Sequence, residues 1–371
     1  MKYYIVSGEA SGDMHGALLI EQLRQKDASA QVRAWGGDRM EQAGATLVKH
    51  YRSLAFMGFV EVVRHLPTIL ANMRICKEDI AVFQPDVLVL IDYPGFNMRI
   101  ARWAHKQGFR VVYYIAPQAW AWKTARVHKL RRSVHQLLVI LPFEEAFFSQ
   151  YHIPTTCVGH PLLDAIARRP TFSKEERLQA WQANAAQPVV ALLPGSRQQE
   201  IATMLPLMLA AVNPQEQKIM VAMAPSQNRG FYQKIIGEQS ITLLESSTYE
   251  LLEVADAALV TSGTATLETA LFGVPQVVCY RGSSLSYWIA RRLVKVSYIS
   301  LVNLVLDREV VTELIQHDLT PARLRRELDY CLSASGQKWF QAGYQQLRRE
   351  LGGAGASQKA AQIIHQEASS A

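Results

Sequence analysis

The sequence predicts an α/β protein made of two doubly wound, Rossmann-like domains that face a shared cleft. Short apolar runs alternate with helical segments along most of the chain, as in a parallel sheet covered on both faces. The alternation stops near residue 166 and restarts about twenty residues later. Two apolar runs open directly into loops of small residues, LLPGSR (Leu192 to Arg197) and TSGTATLE (Thr261 to Glu268), as strands do at the ligand edge of such sheets. A chain of 371 residues also exceeds what a single core usually supports.

Lys2 to Ser7 is the first buried strand, and GEASGDMHG turns it into a helix over Ala17 to Gln25. Gln31 to Trp35 is the second strand, ended by Gly36 and Gly37. DVLVLI (Asp86 to Ile91) is an unbroken apolar run, as a strand buried on both faces requires, and it ends on Asp92. A helix over Arg99 to Gln107 and strands at Arg110 to Ile115 and His135 to Leu141 complete the first half. Val158 to Ile166, followed by RRPTFSKEERL, has the character of an inter-domain linker. Five strands follow, at Pro188 to Leu193, Lys218 to Met223, Ile241 to Leu244, Ala257 to Val260 and Gln276 to Cys279. Beyond about Pro321 the chain is helical and basic, with a Gly/Ala/Ser-rich end. The expected limits are a first domain over 1–165, a second over 166–340 and a helical tail over 341–371.

Apolar residues make up 49% and charged residues 19% of the chain, a globular balance. The net charge of +7 suits nucleic acid, anionic lipid or a phosphorylated substrate. Recognised nucleic-acid motifs are missing, so nucleic acid is not an expected partner. The four cysteines are scattered without CxxC spacing, and HExxH is missing, so no metal is expected. The P-loop pattern and the GxSxG elbow are missing too, which argues against those two chemistries. The N-terminus lacks the regions of a signal peptide and no apolar run has the length of a membrane span. The expected location is the cytosol or a membrane face.

Gly195, Ser196 and Arg197 in one small-residue loop, and Ser262, Gly263 and Thr264 in the other, suit a nucleotide diphosphate. Unobstructed backbone N–H groups and a helix N-terminus attract its oxygens, and Arg197 adds a cation. Glu268 either offsets the helix dipole or accepts hydrogen bonds from a neighbouring loop. In SLVNLVLDREVVTEL, Asn303 and Glu309 either meet the nucleotide's ribose or belong to a solvent-facing helix start. Gly8, Glu9, Ser11, Gly12 and Asp13 do not have dinucleotide-loop spacing, and their negative charge repels a diphosphate. They form either an acceptor site for sugar hydroxyls or a simple helix cap. Asp92 is the candidate general base, with Tyr93, Pro94 and Phe96 excluding water and raising its basicity; the plainer alternative is a turn-forming Asp before Pro. Asn97 orients a substrate or caps the next helix. Trp120 and Trp122, beside Lys123, Arg126 and Lys129, either hold sugars and phosphates or line the core. His160, alone beside Pro161, has a structural character. MGFVEVVRHLPTIL (Met57 to Leu70) is apolar around most of a helix and flanked by cations, which fits either a buried helix or a membrane-surface element.

SGEASGD, MGFVEV, D-x-P-x-FN, WAW, LPFE, VGHP, LLPGSR, TSGTATLE and NLVLDREVVTEL occur in this order over about residues 5–315. Together they closely resemble the lipid-A-disaccharide synthase family, glycosyltransferases of the GT-B type. The resemblance implies transfer of 2,3-diacylglucosamine from UDP to the 6-hydroxyl of 2,3-diacylglucosamine 1-phosphate. The products are a β-1,6 disaccharide phosphate and UDP, made without a metal or other cofactor. It implies that Asp92 is the catalytic aspartate, Arg197 the essential arginine and the SGT loop the diphosphate site. It implies a peripheral enzyme on the cytoplasmic face of a Gram-negative inner membrane. With acylated substrates, Met57, Phe59, Val60, Val63, Leu66, Ile69 and Leu70 become the expected membrane-docking element. It also implies a C-terminal helix that returns to the N-terminal domain, or a homodimer with exchanged C-terminal segments. Gly95 stands where some members carry a second aspartate, which leaves Asp92 as the sole base. Other GT-B enzymes, such as UDP-GlcNAc transferases and 2-epimerases, and a non-catalytic membrane sensor of nucleotide sugars are the rival readings. The apolar element and the acidic first loop argue against an all-soluble sugar substrate.

Overall fold

A computed structural model of the chain describes residues 1–53, 66–122, 125–169, 173–181, 187–282 and 297–370. It divides into two compact units, Met1–Arg169 with Leu351–Ala371, and Pro170–Glu350. The first unit begins β1 (Lys2–Val6), α1 (Ala10–Lys26), β2 (Gln31–Gly36), α2 (Asp38–Gln42) and β3 (Thr46–His50). It continues α3 (Leu66–Phe83), β4 (Val87–Ile91), α4 (Pro94–Lys106), β5 (Val111–Tyr114), α5 (Ala119–Trp122) and α6 (Ala125–Arg131). β6 (Gln136–Val139), α7 (Pro142–Ser149), β7 (Thr155–Cys157) and α8 (Pro161–Ala167) follow. The strands form one parallel sheet in the order β3-β2-β1-β4-β5-β6-β7. Alternate residues feed two cores: Tyr4, Val6, Leu88 and Leu90 pack with Phe96 and Ile100 on one face. Tyr3, Ile5, Val87 and Val89 pack with Leu19 and Ile20 on the other. Burial on both faces is why these strands are continuous apolar runs.

The second unit runs α9 (Lys174–Ala180), β8 (Val189–Leu193), α10 (Gln198–Leu209), β9 (Lys218–Met223), α11 (Arg229–Ile236) and β10 (Thr242–Glu245). Then come α12 (Thr248–Val254), β11 (Ala257–Thr261), α13 (Thr264–Leu271), β12 (Gln276–Tyr280), α14 (Leu301–Leu306), β13 (Thr312–Ile315), α15 (Pro321–Leu332) and α16 (Ala334–Leu351). Its parallel sheet has the order β10-β9-β8-β11-β12-β13. In each unit the winding reverses beside the first strand, at β1/β4 and at β8/β11. The carboxyl ends of those four strands carry GEASGD, DYPGFN, PGSR and SGT, so each pair of loops flanks a topological switch point.

Four boundaries differ from the sequence expectation. α1 starts at Ala10 and α4 at Pro94, so both motif segments are helix starts more than loops; burial of Gly12, Asp13, Phe96 and Asn97 outweighs their turn propensity. The expected linker instead contains α8, whose Pro161, Leu162 and Asp164 are buried, and the first unit runs to Arg169. α16 does not break near 340: Phe340, Tyr344 and Leu347 are buried in the second unit, and the chain leaves it only after Glu350.

The last helix, α17 (Ala356–Ser369), then joins the first unit's core through Ala360, Ala361, Ile364 and Ala368. Asp164 fixes its start by accepting hydrogen bonds from the Gly355 and Ser357 N–H groups. Asp164→Ala should therefore loosen α17 without unfolding the sheet. Hydrogen exchange across 356–369 should quicken, and unfolding free energy should fall by about 1–2 kcal/mol. Unchanged exchange would mean that the core packing holds the helix unaided.

Candidate active site

Asp92 directly follows β4, its N–H making a last ladder-like bond to the Tyr114 carbonyl at 3.1 Å. The chain then turns through two consecutive left-handed residues, Asp92 at φ +44° and Tyr93 at φ +46°. Side chains with a Cβ disfavour that region by about 1–2 kcal/mol each. The Asp92 carbonyl accepts from the Tyr113 hydroxyl at 2.6 Å and from the Asn97 amide at 2.9 Å. The same amide reaches the Ile91 and Val6 carbonyls at 3.1 and 3.2 Å. The Tyr93 ring stacks on Phe96 and lies over Gly8, where a Cβ would come within 2.4 Å of it. Burial, reinforced by the negative charge of Glu9, raises the half-buried Asp92 carboxyl to about 6; the Tyr93 N–H and Arg126 oppose the rise. A carboxylate poised there is a competent general base near neutral pH.

A second carboxylate belongs to the same edge of the sheet and is not among the expected site residues. Glu144, buried in the first turn of α7, accepts from the Ile140 and Leu141 N–H groups at 3.2 and 3.0 Å and from the Trp120 indole at 3.0 Å. It thereby joins WAW to LPFE. Its sequence signal is the Pro-x-Glu spacing of a helix start. Burial pushes its carboxyl up to about 7 against those three donors, and the charge of Asp92 adds to the rise.

The first motif divides by role. Glu9 is the residue before α1 and Ser11 lies exposed in its first turn. Asp13, expected to face an acceptor, is instead buried and accepts from the N–H groups of Gly37 at 2.7 Å, Met40 at 3.1 Å and Arg39 at 3.2 Å. Its charge is spent on starting α2, because a buried carboxylate must be satisfied locally. Asn97 is corrected in the same way: it is fully buried and its amide serves backbone carbonyls. Gly8 and Gly12 give room to the Tyr93 ring and the Ser7 side chain. His160 precedes α8 and accepts the Leu162 N–H at 3.2 Å; burial lowers it to about 3, so it stays neutral and structural.

In the second unit Gly195 adopts φ +108°, and the Ser196 and Arg197 N–H groups both donate to Glu200 at 3.3 Å. Glu200 also pairs with the Arg197 guanidinium at 2.9 Å. A Cβ on Gly195 would meet the Glu200 carboxylate at 2.8 Å, so this loop needs glycine twice over. Ser226, after β9, ties into the loop by donating to the Ser196 carbonyl at 3.2 Å. Beside it, Ser262 donates to the Ile299 carbonyl at 3.2 Å, Gly263 has open space around it, and the exposed Thr264 begins α13. Glu268, on α13, accepts the Tyr249 hydroxyl at 2.9 Å, and burial raises its pKa.

Two expected nucleotide contacts are not placed with these. Asn303 is fully buried and spends its amide on Val311 and Glu313 at 2.8 and 2.9 Å, and on the N–H groups of Val310 and Val311 at 2.8 and 3.0 Å. Glu309 is exposed just before β13 begins, at the amino edge of the sheet, whereas the Gly195 and Gly263 loops leave the carboxyl edge. Of the expected docking element, Met57, Phe59, Val60 and Val63 lie outside the described residues, and Leu66 begins α3. Ile69 packs partly buried on the core, while Leu70 is 53% exposed. Leu70 lines an open groove with Met73, Ala81 and Trp103, flanked by Lys77 and by Arg74, which pairs with Glu78 at 2.7 Å.

Residues 3–367 match the family model described as lipid-A-disaccharide synthetase. The chain belongs to that family. It is 37% identical to the lipid-A-disaccharide synthase of Geobacter sulfurreducens, over 97% of this chain and 95% of the relative. Identity to the synthase of Syntrophus aciditrophicus is 39%, over 96% and 95%. To that of Coxiella burnetii strain CbuG_Q212 it is 34%, over 97% of each. The protein is thus a glycosyltransferase that forms the lipid A disaccharide. Its fold is similar to UDP-GlcNAc 2-epimerase from Neisseria meningitidis bound to UDP-GlcNAc (TM-score 0.69, 13% identity, 99% of this chain and 100% of that one). It is also similar to the calicheamicin glycosyltransferase CalG4 (TM-score 0.63, 14% identity, 99% and 97%), so the fold is GT-B. Among the described residues no helix is long and apolar enough to cross a membrane.

The geometry at Asp92 has a stability consequence. Its carboxyl rises from 3.8 to about 6 on folding, so the fold favours the neutral form. The resulting stabilisation is complete below about pH 3.8 and lost as pH climbs through about 6. Asp92→Asn should therefore raise unfolding free energy by about 2–3 kcal/mol at pH 8, with the gain vanishing toward pH 3.5. Denaturant titrations at the two pH values check this.

Proposed function

We propose that the enzyme joins UDP-2,3-diacylglucosamine to 2,3-diacylglucosamine 1-phosphate with inversion. Asp92 removes the proton of the acceptor 6-hydroxyl as that oxygen attacks the donor's anomeric carbon. The anomeric carbon–oxygen bond to the diphosphate breaks on the opposite face, leaving the β-1,6 disaccharide 1-phosphate and UDP. UDP is a good leaving group, so the second carboxyl of a glycosidase is not needed. Arg197 and the N-terminus of α13 at Thr264 stabilise the charge arriving on the diphosphate. The Ser196 and Arg197 N–H groups receive the diphosphate in place of the Glu200 carboxylate that occupies them. Gly195, Ser262 and Gly263 let the backbone approach, and Glu268 meets the hydroxyls of the nucleotide sugar. Glu9 and Ser11 serve the acceptor.

The observation that carries this reading is Asp92 itself. It directly follows a central strand at a switch point, in a left-handed turn, with its pKa raised to about 6. The membrane-facing part of the proposal places the enzyme on the cytoplasmic face of the inner membrane, docked through Met57 to Leu70. A homodimer is part of the same proposal, with α17 of each chain kept on its own first unit.

Purified protein given both lipid substrates in detergent should yield the disaccharide by mass spectrometry, with one UDP per linkage. Its kcat/KM should rise with pH through an apparent pKa of about 6, and Asp92→Asn should keep UDP binding while losing most turnover. No product from a protein that binds UDP would redirect the reading to another acceptor; near-normal turnover in the Asn variant would reject Asp92 as the base. For docking, a variant with Val60, Val63, Leu66 and Leu70 all changed to Ser should lose co-sedimentation with liposomes. Unchanged sedimentation of that variant, properly folded, would refute the docking element.

A further inference from the structure

Tyr113 sits one residue before the end of β5 and points into the core that α4 covers. Its hydroxyl and the Asn97 amide converge on a single acceptor, the Asp92 carbonyl oxygen, at 2.6 and 2.9 Å. Two donors occupy both lone pairs of that oxygen and so fix the direction in which it points. With the Asp92 N–H held on the Tyr114 carbonyl at 3.1 Å, both peptide units around Asp92 are anchored to β5 or α4. Asp92 stays at φ +44° because its surroundings over-determine that conformation. The ladder between β4 and β5 runs through the main chain, so the Tyr113 hydroxyl is not needed to pair the strands. Burial and the charge of Asp92 hold the Tyr113 phenol well above its ordinary pKa, which keeps it a donor at any working pH.

We propose that Tyr113 is a positioning residue for glycosyl transfer: its hydroxyl, together with the Asn97 amide, holds Asp92 in the left-handed turn that presents its carboxylate to the acceptor hydroxyl. This rests on the reading of Asp92 as general base. A tyrosine that only filled the core would affect the melting temperature when trimmed to Phe, but not the turnover of molecules that remain folded. A positioning tyrosine acts on the chemical step, because a small misplacement of a base costs rate and leaves substrate binding alone.

The test compares Tyr113→Phe, Asp92→Asn and the double variant in the full-length enzyme, each checked by a thermal melt. Tyr113→Phe should lower kcat by about 10- to 100-fold while KM for the UDP-sugar and for the acceptor stays within about twofold. In the Asp92→Asn background the same change should produce no further loss, because the carboxylate it positions is gone. Asn97→Ala removes the second donor and should show the same pattern, which decides the matter should Tyr113→Phe fold poorly. A folded Tyr113→Phe enzyme with wild-type kcat, or an equal loss in both backgrounds, would overturn the proposal. Near-normal kcat in Asp92→Asn alone would instead overturn the general-base reading, so the two failures are told apart by different variants.

Discussion

The pairing of β1 with β4 governs the first unit. It sets Tyr3 beside Val87 and Val6 beside Leu90, so both strands reach the sheet edge at the same level. Ser7 and Gly8 therefore emerge next to Asp92 and Tyr93, and the Tyr93 ring can close over Gly8. A slip by one residue would send every side chain of β1 to the wrong core and would also separate those loops. The register rests on apolar burial on both faces, with Tyr4 and Val6 against one helical layer and Tyr3 and Ile5 against the other. α17 contributes to that second layer, so the last residues of the chain help to hold the strand that places the first motif.

How much of this was legible in the sequence follows from burial. Nine of the ten expected strands lie inside the edges of their sheets, where burial on both faces demands apolar runs; the tenth, β10, is an edge strand whose Leu243 and Leu244 are nevertheless buried. β3, β7 and β13 were missed; they are the last strands at an edge, carry Thr, Lys, His and Glu, and are only partly covered. Polar edge strands are how sheets avoid pairing with other chains, and they leave no apolar signature. Helix starts were misplaced for a related reason. Gly and Pro in GEASGD and DYPGFN signal turns locally, yet both segments are helical because Asp13, Phe96 and Asn97 are buried by distant parts of the unit.

The site was legible where a residue ends a strand and illegible where a polar side chain could serve either the backbone or a ligand. Asp92, Arg197 and Gly263 fall where the alternation of strands and helices puts them. Asp13, Asn97 and Asn303 do not have that transparency. A carboxylate or amide beside a helix start offers the same chemistry to a neighbouring N–H as to a sugar hydroxyl, and only the three-dimensional partner decides. Glu144 shows the converse: a helix-start glutamate that sequence treats as routine is buried with Trp120 and coupled by charge to Asp92. Glu200 occupies a middle ground. Its bonds to the Ser196 and Arg197 N–H groups are long, at 3.3 Å, so an incoming anion displaces little there, whereas its 2.9 Å pair with the Arg197 guanidinium is a firmer contact.

The balance of charge around Asp92 explains why so much structure is spent on one turn. Burial and Glu9 both disfavour its ionised form, and Arg126 and the Tyr93 N–H offset only part of that. A stronger counter-charge would stabilise the carboxylate and make it a feeble base; a weaker one would keep it protonated near neutral pH. The intermediate value holds only while Asp92 stays at one depth in the sheet edge, since desolvation changes steeply with exposure. The left-handed pair Asp92–Tyr93 fixes that depth, and Tyr113, Asn97 and the bare Gly8 hold the pair. Strain in the backbone and unfavourable burial of a charge are thus two sides of one arrangement, in which the fold gives up stability at neutral pH to keep a carboxylate basic.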